Sequence, residues 1–115
     1  MDYQWNIFWA NLNPLKGSEQ AGKRPVLVIS EEAVNLALPI VTVICLITLK
    51  PGRKIYPIET ILNPEESGLS QPGIVMAHQI RAISKERLYE MCGSVNAEAV
   101  RERVRNIVKL YLDLH

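Results

Sequence analysis

The residues of this chain best able to do chemistry lie in Gly17-Ser18-Glu19-Gln20-Ala21-Gly22-Lys23-Arg24-Pro25, a polar stretch set directly before the apolar run Val26-Leu27-Val28-Ile29. Its two outer glycines free the backbone for tight conformations, and Pro25 biases Arg24 towards extended geometry, so one guanidinium is delivered to the mouth of a buried strand. A planar, permanently charged guanidinium can grip a phosphate through two parallel N–H bonds, while Ser18, Gln20 and the glycine amides add neutral donors. Glu19 contributes a carboxylate to the same loop. Further along, Thr48 ends an apolar run just before Lys50, where its hydroxyl would emerge at a rim. His78, in Met76-Ala77-His78-Gln79-Ile80-Arg81, is of the side-chain type best suited to proton transfer near neutrality. Taken singly, each has a plainer reading: a surface connection, a strand-forming threonine, a hydrogen-bonded core histidine.

The elements that must position these groups follow from pattern. Trp5 to Leu12 reads as a first strand closed by Asn13-Pro14, and Val26 to Ile29 as a second, fully apolar one. Ser30-Glu31-Glu32 offers an N-cap with early acidic residues for a short helical turn through Leu36, which Pro39 ends. Val41 to Leu49, rich in β-branched residues, is the strongest strand and stops at the turn signal Lys50-Pro51-Gly52. A shorter strand is expected over Lys54 to Thr60. The loops Asn63-Pro64-Glu65-Glu66-Ser67-Gly68 and Gln71-Pro72-Gly73 then lead to a strand from Ile74 to Ile83. Ser84 could cap a short helix to Cys92, Gly93 breaks it, and Asn96 could cap a final helix with Val100, Val104, Val108 and Tyr111 on one face. Arg101, Arg103 and Arg105 are split by helical geometry, with Glu98 and Glu102 at pairing distance, so they read as a salt-bridged helix face rather than a basic patch. Strands first and helices last favour a β-rich α+β fold, a small barrel or strongly curved sheet packed by helices, because too few crossover helices separate the strands for a parallel sheet.

With 115 residues, the chain is expected to form one domain over 1–115. Hydrophobic residues at 48% and charged residues at 22% argue against disorder. The net charge of +1 supplies no global field to attract nucleic acid, so any such binding must come from a local patch. Cys45 and Cys92 make neither a secreted disulfide framework nor a metal site, which fits a reduced, cytoplasmic compartment. Leu36 to Leu49, the longest apolar run, is shorter than the ~20 residues a membrane helix needs, and no basic leader precedes an apolar segment. Walker, dinucleotide, zinc-ligand and Gly-x-Ser-x-Gly patterns are all missing from the sequence.

Three blocks together resemble the MazF/PemK/Kid family of toxin endoribonucleases: Leu12-Asn13-Pro14 followed by Gly17 to Val28, Ile47-Thr48, and Gln79-Ile80-Arg81 leading into Ser84-Lys85-Glu86-Arg87-Leu88. The resemblance implies an SH3-like barrel with C-terminal helices, a homodimer, and cleavage of single-stranded RNA without metal or other cofactor. It also implies a cognate antitoxin whose acidic, flexible C-terminal segment blocks the RNA groove. Arg24 and Thr48 match the family's active-site arginine and threonine, and Glu19 matches a glutamate implicated in some members. His78 stands where many members carry Asp or Glu, a base in one branch, so His78 and Glu19 are the two candidate bases. Gly17, Ser18, Gln20, Lys23, Lys50, Arg53, Gln79 and Arg81 are the expected RNA contacts, with Lys16 and Lys54 nearby. Trp5-Asn6 replaces the family's usual Gly-Asp. Two non-catalytic alternatives stand beside this: a gyrase poison of the same fold, against which the end Leu112-Asp113-Leu114-His115 counts because such poisons rely on a tryptophan-containing end, and a degenerate regulatory dimer, which Trp5-Asn6 and His78 make plausible.

Overall fold

The computed structural model describes residues 2–13 and 22–115. Six strands make one antiparallel sheet: β1 (Asn6–Asn11), β2 (Lys23–Val28), β3 (Ile40–Thr48), β4 (Glu59–Leu62), β5 (Gly73–Ser84) and β6 (Leu88–Ser94). Their order is β4-β5-β3-β2-β1-β6, so β4 and β6 are the edges and the sheet is open. Among the described residues three helices accompany it, α1 (Glu32–Ala37), α2 (Pro64–Ser67) and α3 (Glu98–Leu112). The β-rich α+β architecture read from the sequence is present. Among the described residues no helix is long and apolar enough to cross a membrane.

The central strands β1, β2 and β3 are buried on both faces, because their alternating side chains feed two separate apolar clusters. Ile7, Leu27, Ile44 and Leu46 pack beneath Val100, Val104 and Ile107 of α3. Phe8, Ala10, Val26, Val28, Val41, Val43 and Cys45 pack with Ile74, Met76 and Ile83 of β5. Trp5 joins the first cluster from just outside β1, with Arg101 and Arg105 both over its ring. The arginines of α3 thus divide as helical geometry requires: Arg101 and Arg105 face Trp5, and Arg103 reaches Glu66 of α2. Val100 and Val104 are core residues as expected. Tyr111, however, is exposed, and Ile107 completes the buried stripe.

Three local expectations need correcting. Ser84 caps only a single 3₁₀ turn, Lys85–Arg87, after which Leu88 to Ser94 runs extended as β6 rather than helical. Tertiary pairing decides this: β6 covers the free edge of β1, and the Arg87 guanidinium donates to the carbonyls of Asn11 and Asn13 on that strand's exit. Gly93 suits this packing, since a Cβ there would lie 2.4 Å from the Ser67 carbonyl oxygen. The short strand expected at Lys54 to Thr60 instead begins at Glu59, beyond Pro57, which has no N–H to give a ladder. Asn96 does not cap α3; Ala97 holds that position, and the Asn96 amide donates to Ser94 Oγ.

The contact between α3 and α2 has a pH signature. Arg103 Nη1 and Nη2 donate to Glu66 at 2.8 and 3.1 Å, and Nη2 also donates to the Ile61 carbonyl at 2.7 Å. The Arg103 guanidinium, with the Asn63 amide second, pulls the Glu66 carboxyl from 4.5 down to about 2. A carboxyl with a depressed folded value contributes its stabilisation fully above its unfolded value and loses it as the pH falls through the folded one. Glu66→Gln is therefore expected to cost about 1 kcal/mol near neutrality, a modest figure because Arg103 is partly solvated. Thermal melts of both proteins should converge as the pH is lowered from 4.5 towards 2, and a gap that stays constant would exclude the charge pair as its source.

Candidate active site

Alternation along β2 aligns Arg24 with Val26 and Val28, so this arginine continues a buried apolar row at its open end. Lys23, one residue earlier, takes the other side and places its ammonium over the Tyr89 ring at 4.7 Å. Beside β2, β3 pairs Cys45 with Val26 and ends at the exposed Thr48. Pro51 then presets a turn and Gly52 takes φ +81°, closed by Arg53 N–H donating to the Lys50 carbonyl at 3.1 Å. A positive φ after proline is the signature of a type II turn, which is why this position requires glycine. The turn folds Lys50 and Arg53 back alongside Thr48. Arg24, Ile47, Thr48, Lys50 and Arg53 together line a cleft of about 420 Å³.

On the other side of β3 lies β5. Ile44 pairs with Ile80, but Leu46 pairs with Val75, so Met76 to Gln79 bulges away from β3. Ala77 N–H bonds instead to the Ile58 carbonyl at 3.1 Å, and the exposed His78 sits within this bulge. Bulges re-aim side chains in this way and recur beside active sites. Arg81 follows, paired with Val43. Burial pushes the Cys45 thiol up to about 11, against the opposing pull of Arg81 and Arg24, so both cations approach this cysteine. Arg81 Nη1 is buried and donates to no group among the described residues. Buried donors of that kind are uncommon.

Arg24, Thr48, Lys50 and Arg53 are thus brought together, with Arg81 and His78 on the neighbouring strand. Gln79 lies in the bulge and Lys23 stands apart. Gly17, Ser18, Glu19 and Gln20 lie outside the described residues. Sequence reasoning missed two groups. Glu59 is buried at the start of β4 and receives both Arg53 Nη1 and Nη2, at 3.0 and 2.9 Å, and the Tyr56 N–H at 3.0 Å. Arg53, then the Tyr56 amide and the charges of Arg53 and His78, hold its carboxyl below the usual range against the cost of burial. An acidic residue inside an otherwise apolar strand was the available signal. Trp9, half-buried, lines a smaller recess of about 120 Å³ with Pro25, Leu46, Thr48 and Pro72, so an aromatic wall adjoins the Thr48 hydroxyl.

Sheet, bulge and cationic cleft define a small β-rich protein with positive charge gathered at its strand ends. A family model described as PemK-like, MazF-like toxin of type II toxin-antitoxin system matches residues 3–112, and the chain belongs to that family. It is similar to Endoribonuclease MazF9 of Mycobacterium tuberculosis, 32% identical with 94% of this chain and 93% of that protein covered. Endoribonuclease MazF of Staphylococcus saprophyticus is 29% identical, over 96% of this chain and 90% of the relative. Among solved structures, MazE-MazF (Form-II) of Deinococcus radiodurans superposes with a TM-score of 0.74 at 27% identity, covering 100% of this chain and 97% of the other.

The unpaired Arg81 Nη1 has a consequence for stability. Replacing a buried, unsatisfied donor with an apolar side chain of similar length removes a penalty and not a bond. Arg81→Met is expected to melt at the wild-type temperature or higher in differential scanning fluorimetry. A loss of several degrees would show that the guanidinium is satisfied within the fold.

Proposed function

We propose that this toxin-family endoribonuclease cleaves single-stranded RNA in the cleft between Thr48 and the Lys50–Arg53 turn, leaving a 2′,3′-cyclic phosphate and a 5′-hydroxyl. The observation that carries this reading is the convergence of Arg24, Thr48, Lys50 and Arg53 on one cleft. A base takes the proton of a ribose 2′-hydroxyl, the freed oxygen bonds to the adjacent phosphorus, and the bond to the 5′-oxygen breaks as that oxygen is protonated. Arg24 stabilises the charge that builds on the phosphorane, and Thr48 donates its hydroxyl to a phosphate oxygen. His78 is the preferred base, exposed on the β5 bulge and so open to substrate; Glu19 is the alternative. Lys50, Arg53 and Arg81 neutralise phosphates along the strand, and Trp9 offers a face on which an unstacked base can lie. Gly17, Ser18, Gln20, Lys23 and Gln79 are assigned lesser contacts with the RNA.

The curated relatives are named endoribonucleases, which favours cleavage over the non-catalytic alternative. The MazE-MazF neighbour supports a cognate antitoxin as partner, and a cationic cleft suits the acidic, flexible segment expected of it. The last turns of α3 leave Leu110, Tyr111 and Leu112 exposed, an apolar surface that suits a homodimer. The place of action on this reading is the cytoplasm, where its RNA substrate is translated.

The test is incubation of the purified protein with long single-stranded RNA in excess EDTA, with the new ends mapped by sequencing. Discrete cuts bearing 5′-hydroxyl ends are expected, reduced about 10²–10³-fold in Arg24→Ala, by analogy with loss of a charge-stabilising donor at other active sites. His78→Ala should lose the acidic limb of the pH–rate profile if the imidazole is the base. Intact RNA from a folded sample, or full activity in Arg24→Ala, would sink the assignment.

A further inference from the structure

Among the described residues Glu59 is the only charged residue that is buried, and its side chain is 1% exposed. Stability does not explain it. Removing two charges from water costs several kcal/mol per ion, and an apolar pair of the same volume often does as well or better. What a buried carboxylate does supply is geometry. Glu59 meets Arg53 fork to fork, through Nη1 at 3.0 Å and Nη2 at 2.9 Å, which fixes the guanidinium plane as a single contact would not. Its Oε1 also accepts the Tyr56 N–H at 3.0 Å, pinning the chain just beyond the turn. The Arg53 side chain nevertheless remains 27% exposed and lines the cleft with Arg24 and Thr48. An arginine held from behind and open in front is a prepared anion contact.

The same carboxylate lies in the field of His78, across on the β5 bulge. Glu59 therefore pairs with the Lys50–Arg53 turn and feels the charge of the bulge from one buried position at the start of β4. Free arginine side chains lose rotamer entropy when a ligand immobilises them. A guanidinium already clamped has met that cost in folding.

We infer that Glu59 is a positioning residue, which clamps Arg53 at the cleft rim so that it meets a phosphate of the RNA strand flanking the one that is cut. The inference rests on the reading of this cleft as the RNA site. Because Arg53 touches a flanking phosphate, Glu59 governs how tightly RNA is held and leaves the bond-breaking step alone. Its effect on RNA binding runs through Arg53, so that effect must vanish when Arg53 is gone.

The experiment uses a short RNA spanning a mapped cut site, with wild type, Arg53→Met, Glu59→Gln and the double variant, each checked by thermal melt. KM and kcat are measured, and Kd is taken from the same oligonucleotide with a 2′-deoxy residue at the cut. Each single variant is expected to raise KM and Kd about tenfold, equivalent to about 1.4 kcal/mol, with kcat within about twofold. The double variant should bind no worse than Arg53→Met. Multiplying effects in the double variant, or a loss confined to kcat, would overturn the clamp. So would wild-type binding by Glu59→Gln while Arg53→Met is impaired. If Arg53→Met itself binds normally while Arg24→Ala is inactive, Arg53 is no RNA contact and the clamp falls without the active site. Should Glu59→Gln not fold, Arg53→Lys keeps the charge and loses the fork. It is expected to show the same tenfold rise, and wild-type KM in that variant would likewise reject the proposal.

Discussion

Burial of β1, β2 and β3 on both faces is the constraint from which the rest of the structure follows. Strands enclosed by two apolar clusters have no room for a charged side chain along their length, so polar chemistry is driven to their ends. Arg24 stands at the beginning of β2 and Thr48 at the end of β3 for this reason, and antiparallel pairing puts those two ends side by side. The cleft is the place where the double-sided core runs out. Its precision comes from the core as well, since Arg24 continues the row of Val26 and Val28 and inherits their direction.

The electrostatics then follow from the count of charges at that end. Arg24, Lys50 and Arg53 converge on one cleft while the chain as a whole carries only +1, so the local field is made by placement and not by composition. Mutual repulsion among such cations opposes folding, and Glu59 limits it by neutralising Arg53 from inside the core. The Cys45 thiol, which burial pushes up to about 11 against the pull of Arg81 and Arg24, stays neutral. The unpaired Arg81 Nη1 is a cost borne by the fold that an anion would relieve.

Much of this was legible in the sequence, and the exceptions share a cause. The apolar runs located β2, β3 and β5, and Lys50-Pro51-Gly52 named its turn because proline and glycine act locally. Arg24 and Thr48 could be singled out since each adjoins an apolar run that had to be a strand. The failures are all places where a distant partner decides. Leu88 to Ser94 carries helix-compatible residues after a good cap, yet the open edge of β1 draws it into the sheet. Glu59 looked like a polar residue on a strand, and nothing nearby in sequence announces that Arg53 turns back to meet it. The β5 bulge is equally silent, for it exists only as a mismatch between Val75–Ile80 and Ile44–Leu46.

That bulge also bears on the choice of base. A histidine in a regular, doubly covered strand would be a core residue with both nitrogens occupied, the plainer reading of His78. By leaving β3 between Val75 and Ile80, the chain lifts residue 78 out of the apolar row that holds Ile74 and Met76 and exposes it. A bulge of this size forfeits ladder hydrogen bonds, partly recovered through the Ala77 amide and the Ile58 carbonyl. What the fold obtains in return is a titratable group outside the core yet anchored on both sides by buried strand, within the field of Glu59 and on the strand that carries Arg81. Exposure opens the imidazole to solvent, and the anchoring limits the volume it searches.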